Sequence, residues 1–490
     1  MPVVPYGVES SSPRSFDTRA SSIQFVQRVQ RQVLASGQEK IASLSFEIDP
    51  IAPWVVLAKL GAQDKRHFYY DSPQTETQNK YMVGIGAAIE YQSEGPSRFS
   101  NAQAFTDFWR QHLCIASLQR KEGGYADAAR SPRGHFFCSA TFFSESREQE
   151  YFAPAFVFVP KVQVTTEAET SVVTYNTLIS GSTDVESLVA RIVDQLGQIL
   201  RIQLGRTDEQ SCIVPSHYRV QKDVDGFEQT VRSVLSQVRS QQIHKVVLSD
   251  VADVVMPAPV DVVRSLQALR QQHPHCTVFS VGNGQGQSFI GASPERLLRI
   301  TKRKLMTEAL AGTTSRNAEA KLDRELGRAL LESQKERYEH QVVVEFILAQ
   351  LRSLGITAHG SKTPQLLRLS NIQHLHTPIT ASLENSQASP LEILSKLHPT
   401  PAVAGVPRQQ ACSLIQEYES FDRGLYTAPI GWIDTEGDSE FIVGIRSALI
   451  DGCKARLYAG AGIVSASEPE RELAEIRLKL QALLNALVCS

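Results

Sequence analysis

The sequence predicts an α+β fold built on large antiparallel β-sheets flanked by helices. Two observations predict it: both halves of the 490-residue chain contain runs of strand-like segments, and helical segments interrupt these runs. Hydrophobic residues make up 42% of the chain and charged residues 21%, the balance of a soluble globular protein. The length suits one large domain or two ordinary ones.

Residues 1–22 are predicted to form a disordered tail, and residues 23–225 the N-terminal part of the fold. Alternating or apolar runs predict strands at Ile41–Ile48, Trp54–Leu60, His67–Tyr70, Tyr81–Tyr91, His135–Phe143 and Ala155–Val162. Helical spacing predicts helices at Ser22–Ala35, Ala102–Leu118 and Val185–Leu200, with a linker at Asp208–Ser216 and a further helix at Asp223–Arg239.

The second half, residues 226–490, also consists of strand-like segments interrupted by helices. Strands are predicted at Lys245–Val255, Thr277–Gly282, Ser288–Gly291, Arg296–Thr301, Leu305–Ala309, Gly431–Asp434, Phe441–Leu449 and Ala455–Ala459. A long helix is predicted over Ala318–Leu354, with a break near Gly327, and another over Pro469–Val488. In the last helix one apolar face carries Ile476, Leu480, Leu483, Leu484 and Leu487.

Charge and cysteine content exclude several classes of protein. The formal charge is −2 and no basic stripe or acidic tail occurs, so we expect no nucleic-acid partner and no membrane partner. No apolar run approaches the roughly 20 residues that span a bilayer. The seven cysteines are scattered and unpaired in sequence, which argues against a disulfide framework or a zinc site and favours the cytoplasm. Plastid stroma is the alternative if the Ser- and Arg-rich first residues are a targeting remnant.

Two predicted helices carry glutamates three residues apart. They are Glu336 and Glu339 in KERYEH, and Glu472 and Glu475 in PERELAE. This spacing puts each pair on one helix face, where the like charges repel. Hard carboxylate oxygens suit Mg²⁺, although the same spacing is common on solvated helix faces.

Lys245 and Glu295 are candidate proton-transfer groups. Lys245 begins the apolar run KVVLSD, where it either ends a strand in solvent or projects into a pocket and acts as a base. Glu295 follows Pro294 in the turn GASPERL, and it either pairs with Arg296 or serves as an acid with a raised pKa. The residues alone leave both alternatives open.

Glycines and one arginine point to an anion. Gly312 in TEALAGT, and Gly460 and Gly462 in YAGAGIV, could present backbone N–H groups at a turn, or only permit unusual backbone angles. Arg446 stands among apolar neighbours in a predicted strand. A buried arginine needs an anionic partner, from the protein or from a ligand.

Taken together and in order, these segments resemble one family. They are KVVLSD, FIGASPERL, TEALAGT, KERYEH, NIQHLHT, LHPTPAVAG, RGLYTAPIGWID, FIVGIRSAL and AGAGIVSASEPERELAEI. They resemble the chorismate-binding catalytic region shared by isochorismate synthases, salicylate synthases, anthranilate synthase and aminodeoxychorismate synthase. The resemblance spans about Phe227–Leu487 and is weaker in the N-terminal half. It implies a single α+β domain in which an antiparallel β-sandwich is flanked by helices, with the site in a cleft.

The resemblance also implies roles for individual residues. Lys245 matches the general base that activates water, and Glu295 matches the general acid that protonates the departing C4 hydroxyl of chorismate. Glu339 and Glu475 match direct ligands of Mg²⁺, with Glu336 and Glu472 in support. The residues that match contacts to the substrate are Arg446, Tyr426, Gly460, Gly462, Lys479, Gly312, Thr313, His374 and Ala402.

Within the family, water is the expected nucleophile. Ammonia-using relatives generally lack a lysine at the position of Lys245, and aminodeoxychorismate synthase has PIKGT where this chain has ALAGT with Ala311. Salicylate synthases tend to have threonine where this chain has Ala402. We therefore predict an isochorismate synthase that feeds menaquinone or phylloquinone synthesis, with salicylate synthase and an ammonia-using enzyme as alternatives.

Three positions depart from the family pattern: Asp250, Ala404 and Leu473 stand where arginine, glycine and an aromatic residue are common. Asp250 puts the surroundings of Lys245 in question. An inactive chorismate-binding module and an enzyme with a glutaminase partner are alternatives from other classes, and the intact catalytic residues argue against the first. The expected partner is chorismate, with no obligatory glutaminase subunit and a monomer or weak dimer.

Overall fold

A computed structural model describes residues 18–61, 65–73, 80–118, 133–145, 151–167, 170–204, 218–240, 243–361, 363–368 and 372–488. The helices are α1 Thr18–Ser36, α2 Pro53–Leu60, α3 Arg98–Gln111, α4 Val185–Leu204, α5 Phe227–Arg239, α6 Val262–Gln272, α7 Ala320–Glu332, α8 Gln334–Ser353, α9 Pro390–Leu397, α10 Arg408–Tyr418 and α11 Pro469–Val488. The predicted linker at Asp208–Ser216 lies outside the described residues.

The first strands of the fold come from the N-terminal half. They are β1 Lys40–Ile48, β2 Arg66–Ser72, β3 Lys80–Ser93, β4 Leu113–Leu118, β5 His135–Ala140, β6 Ala155–Glu167 and β7 Thr170–Ile179. The second half supplies β8 Arg219–Lys222, β9 Lys245–Val255, β10 Thr277–Asn283, β11 Gln287–Ser293, β12 Arg296–Thr301, β13 Lys304–Ser315, β14 Ala358–Gly360, β15 Gln365–Arg368, β16 Ile372–Ser382, β17 Gly405–Val406, β18 Pro429–Asp434, β19 Ser439–Val443, β20 Ser447–Asp451 and β21 Lys454–Ile463.

Strands from the two halves of the chain pair with each other. β10 pairs with β2, so that Phe279 lies opposite Tyr70, and β18 pairs with β5, so that Gly431 lies opposite Cys138. β1 runs parallel to β4, and the other pairings among the described strands are antiparallel. The predicted α+β fold with large antiparallel sheets is therefore confirmed, and both halves belong to one architecture.

An aromatic core fills the space where the two halves meet. Phe68 of β2 stacks on Phe137 of β5 with ring centroids 4.4 Å apart, and Phe279 and Phe289 contribute from β10 and β11. Each of these rings is buried. Burying a side chain of this size stabilises the fold by about 1.5–3 kcal/mol, so this core holds β9 and β21 rigidly in place.

Helix α11 carries one pair of predicted acidic residues. Its apolar face is buried against β21, α5 and α6, and consists of Leu473, Ile476, Leu480, Leu483, Leu484, Ala486 and Leu487. This confirms both the predicted bounds and the predicted face. This apolar face packs α11, which carries Glu472 and Glu475 on its first two turns, against β21.

Three N-terminal predictions need correction. The segment Trp54–Leu60 is not a strand but lies in α2, because Pro53 stands at its first turn and short apolar runs do not distinguish strand from helix. The predicted helix at Ala102–Leu118 ends at Gln111, and Leu113–Leu118 forms β4 beside β1. Helix α1 begins at Thr18, inside the predicted tail.

Two C-terminal predictions also need correction. The predicted strand Phe441–Leu449 is two strands, β19 and β20, separated by a turn at Gly444–Arg446. The long helix breaks at Ser333 rather than at Gly327, because Ser333 adopts an extended conformation and its side chain caps α8 by accepting from the backbone N–H of Glu336. Among the described helices, none is long and apolar enough to cross a membrane.

Candidate active site

Lys245 lies at the start of β9, and only 6% of its surface is exposed. Its Nζ donates a hydrogen bond to Oε1 of Glu339 on α8 over 2.6 Å. Gly462 of β21 makes room for this pair, because a Cβ there would lie 3.0 Å from Lys245 Cε and 3.6 Å from Glu339 Oε1. Lys245 therefore projects into a site shared by β9, β21 and α8.

Asp250, the departure that put the surroundings of Lys245 in question, lies on the opposite face of β9. Successive strand residues alternate between faces, so residues 245 and 250 point in opposite directions. Asp250 Oδ1 lies 3.5 Å from Nζ of Lys222 on β8. The described ion pair of Asp250 is therefore with Lys222 and not with Lys245.

Glu295 is held rigidly in the turn between β11 and β12. Its backbone N–H donates to Ser293 Oγ over 3.2 Å, and its carbonyl accepts from the N–H of Val443 over 3.1 Å. The residue is 6% exposed. Burial, reinforced by the charge of Glu308 and opposed by that of Lys245, raises the pKa of Glu295 to about 8. A carboxyl of this kind is protonated at neutral pH and can donate its proton.

Glu308 of β13 is a neighbour of Glu295 that was not predicted from the sequence. Its Oε1 accepts from the backbone N–H of Arg296 over 2.8 Å, and its Oε2 lies 2.7 Å from Nε2 of His376. Burial alone would raise the pKa of Glu308, but the hydrogen bond from His376 and the charge of Arg296 hold it below its usual value. The carboxylate next to the acid is therefore itself ionised.

The four predicted metal ligands lie on the first two turns of α8 and α11. Burial, and then the charge of the second glutamate three residues away, raise the pKa values of Glu336 and Glu472. The charge of Lys335 acts on Glu336, Glu339 and Glu472, which places acids of both helices in one neighbourhood. Buried carboxylates that repel one another are relieved by a cation.

The donor chemistry of these four glutamates fits a hard cation such as Mg²⁺, because all of their ligand atoms are carboxylate oxygens. As they stand, however, the described residues contain no group of three or more His, Cys, Asp or Glu side chains close enough to hold a metal. The cations beside the acids are lysines: Lys245 contacts Glu339, and Lys479 contacts Glu475 over 2.6 Å.

Arg446 is the arginine among the predicted anion-binding residues. It lies in the turn between β19 and β20 rather than in a strand, with a left-handed backbone φ of 49° that non-glycine residues rarely adopt. Its guanidinium contacts Cys276 Sγ at 3.7 Å, and no described carboxylate lies within ion-pair distance. Burial lowers the pKa of Arg446. A buried guanidinium without a protein anion is suited to bind an anionic ligand.

His374 connects Arg446 to two other predicted residues. Its Nδ1 lies 2.9 Å from Thr313 Oγ1, beside the bulge in β13 where Gly312 has a φ of 77°. Burial, and then the charges of Arg446 and Lys479, lower the pKa of His374 to about 3. Lys479 also donates to the carbonyl of Gly460 over 2.8 Å. Arg446, Lys479 and a neutral His374 therefore lie in one positively charged neighbourhood.

Tyr426 lies directly beside Gly460 of β21. Gly460 and Gly462 lie within β21 and not in a turn. A Cβ on Gly460 would approach Tyr426 Oη to 3.0 Å and Ser249 Oγ to 2.5 Å, so only glycine fits there. Tyr426 stacks on Tyr458 at 5.0 Å, and burial raises its pKa to about 12. Its hydroxyl remains protonated and can donate a hydrogen bond.

A buried ion pair between Arg423 and Glu419 was also not predicted. Arg423 donates to both carboxylate oxygens of Glu419, to the carbonyl of Val247 and to the carbonyl of Val403. Glu419 in turn accepts from the backbone N–H of Ser249 over 2.8 Å. The pair thus fastens β9 to the loop that contains the predicted substrate contact Ala402. Arg423 stands in the motif RGLYTAPIGWID, but its distant partners gave no local signal.

We expect Arg423→Met to lower the free energy of unfolding by about 3–5 kcal/mol, because it leaves the buried carboxyl of Glu419 without its ion-pair partner. Denaturant unfolding measures this loss. The matched control is Arg477→Met, which removes an exposed pair with Asp225 and should cost at most about 1 kcal/mol. Equal losses in the two variants would contradict the anchoring role of Arg423.

Known proteins resemble this chain over nearly its whole length. A family model described as "Chorismate binding enzyme" matches residues 24–488. The salicylate biosynthesis isochorismate synthase of Pseudomonas aeruginosa is 34% identical over 93% of this chain and 92% of its own. The isochorismate synthase MenF of Bacillus subtilis is 30% identical over 94% of both chains.

Solved structures agree with these sequence matches. The menaquinone-specific isochorismate synthase MenF of Escherichia coli superposes with a TM-score of 0.73 and 25% identity, over 96% of this chain and 100% of its own. An isochorismate synthase structure from Bacillus anthracis, DhbC, gives a TM-score of 0.66 over 88% of this chain and 98% of its own. The chain therefore belongs to the family of chorismate-binding enzymes.

Proposed function

We propose that this protein is an isochorismate synthase that uses Mg²⁺ and supplies a quinone pathway. The observation that carries the proposal is that two candidate proton-transfer groups are buried near each other: Lys245, and Glu295 with a pKa of about 8, on which the charge of Lys245 acts. The relatives that match over more than 90% of both chains are named isochorismate synthases, which supports the same reaction.

The reaction adds one water and loses another. Lys245 accepts a proton from a water molecule as its oxygen bonds to C2 of chorismate, and the ring double bonds shift. Glu295 donates its proton to the C4 hydroxyl, which leaves as water. Lys245 donates a hydrogen bond to Glu339 in this structure, so the base role requires this pair to open and the ammonium to lose its proton before water attacks. The strands β9 and β12 hold the base and the acid at a fixed separation.

Chorismate carries two carboxylates, and the site offers separate positions for negative charge. Arg446, Lys479 and the hydroxyl of Tyr426 are suited to one carboxylate. When bound, Mg²⁺ would be held by Glu336, Glu339, Glu472 and Glu475 and would neutralise the other carboxylate. Without that cation, the four glutamates would repel the substrate.

Replacing Arg446 with methionine should raise KM for chorismate about 10- to 100-fold, because a hydrogen bond to a charged group contributes about 1.5–3 kcal/mol. Steady-state kinetics measures the change. The matched control is Arg456→Met in β21, because Arg456 already pairs with Asp253 at 2.7 Å and is not among the residues assigned to the substrate. An unchanged KM in the Arg446 variant would remove its substrate role.

The proposal is tested by incubating the protein with chorismate and Mg²⁺ and identifying the products by chromatography. Isochorismate without pyruvate supports the proposed activity. Release of pyruvate with salicylate identifies the second candidate, salicylate synthase, and formation of an aminated product only with ammonia identifies the third. Deleting the gene in its host and measuring quinones and salicylate then distinguishes the two pathways that the relatives' names suggest.

A further inference from the structure

We propose that Glu308, held by His376, is a positioning residue that keeps Glu295 in its proton-donating form. This inference rests on the proposed function, because it concerns the acid of that reaction. Glu308 has no other role in the proposed mechanism.

Glu308 is held in a fixed position by contacts to both of its carboxylate oxygens. One carboxylate oxygen accepts from the backbone N–H of Arg296, the residue directly after Glu295, over 2.8 Å. The other oxygen lies 2.7 Å from Nε2 of His376 on β16. Both oxygens are thus engaged, so the carboxylate cannot turn away from the turn that carries the acid.

The carboxyl of Glu295 is isolated from hydrogen-bond donors among the described residues. Its backbone groups are bonded to Ser293 and Val443, but within the described part of the chain its carboxyl has no hydrogen-bond donor to stabilise an anion. An ionised Glu295 would face the fixed negative charge of Glu308 at low solvent exposure. Like charges in such a site disfavour ionisation of the second group.

Charged groups on β9, β12 and β13 lie near Glu295. Lys245 on β9 favours ionisation of Glu295, and Glu308 on β13 opposes it. Arg296 on β12 points to the other side, where its Nε lies 3.5 Å from Glu440 of β19. The charge of Glu308 therefore opposes the effect of the nearby lysine on Glu295.

The experiment is Glu308→Gln, which preserves shape and removes the charge. Glu295 then loses the repulsion that opposed its ionisation, so its pKa falls. The limb of the kcat/KM profile where activity decreases with rising pH, expected near pH 8 in the wild type, should move to lower pH by roughly one unit. Rates well below this limb should change little. An unmoved limb would overturn the proposal.

Two further variants separate this role from general damage. Glu440→Gln removes another buried carboxylate next to Arg296 and should leave the limb in place. His376→Ala should shift it in the same direction as Glu308→Gln, and His376→Gln, which retains a donor, should restore it. Thermal unfolding checks that each variant folds. A shift of equal size in Glu440→Gln would also overturn the proposal.

A direct titration distinguishes failure of this inference from failure of the proposed function. Infrared spectra of the wild-type protein, from which spectra of Glu295→Gln are subtracted, report the protonation of Glu295 without any substrate. If chorismate is not converted, the proposed function fails, yet the titration still tests Glu308. If Glu295 titrates at the same pH with and without the charge of Glu308, the inference fails whatever the activity.

Discussion

Replacing Lys245 with alanine should lower turnover of chorismate by roughly 10²–10⁴-fold, the range contributed by a positioned general acid or base. The variant loses the only group we assign as acceptor of the water proton. Chorismate binding in the presence of Mg²⁺ should persist, since Arg446 and Lys479 are unchanged. Turnover is measured by product chromatography and binding by calorimetry.

A charge-retaining variant tests the base role against a purely electrostatic one. Lys245→Arg keeps a cation beside Glu339, but a guanidinium does not release its proton in proteins. We expect Lys245→Arg to be as inactive as Lys245→Ala and to bind chorismate. Recovery of turnover in the arginine variant would show that Lys245 contributes charge rather than proton transfer, and loss of binding in both would make it a substrate ligand.

Glu295→Gln should lower turnover by a similar factor, roughly 10²–10⁴-fold. Glutamine resembles the protonated carboxyl in shape and charge, so chorismate should bind with nearly wild-type affinity, but the amide cannot protonate the leaving hydroxyl. The residual rate should also lose the decrease that the wild type shows as pH rises through about 8. Wild-type rates in this variant would remove the acid role of Glu295.

The variant also has an internal control for folding. Since the side chain of Glu295 makes no hydrogen bond within the described residues and only its backbone is bonded, the amide should leave the turn between β11 and β12 intact. We therefore expect a melting temperature close to that of the wild type. A large decrease would mean that the loss of turnover reports misfolding, and Glu295→Asp would then be the informative change.

Elements with a strong local pattern could be predicted from the sequence alone. The bounds of β9 and α11 were predicted to the residue, because an apolar strand run and a helical face of leucines are read from neighbouring positions. The segments Trp54–Leu60 and Phe441–Leu449 were not. The first is apolar except for Lys59 and has no clear period, and the second is interrupted by the left-handed backbone of Arg446, which no local pattern indicates.

For the candidate site, too, some features could be predicted from the sequence and others could not. Residue types, their spacing and their order along the chain are enough to identify which side chains carry proton-transfer and acidic chemistry. Which of these side chains meet depends on the folded chain: Lys245 contacts Glu339 across 94 positions, and Glu308 contacts His376 across 68. The structure also decided the charge states, since burial and the sign of a distant neighbour set a pKa. Those quantities depend on packing between elements far apart in the chain, and a linear pattern does not contain them.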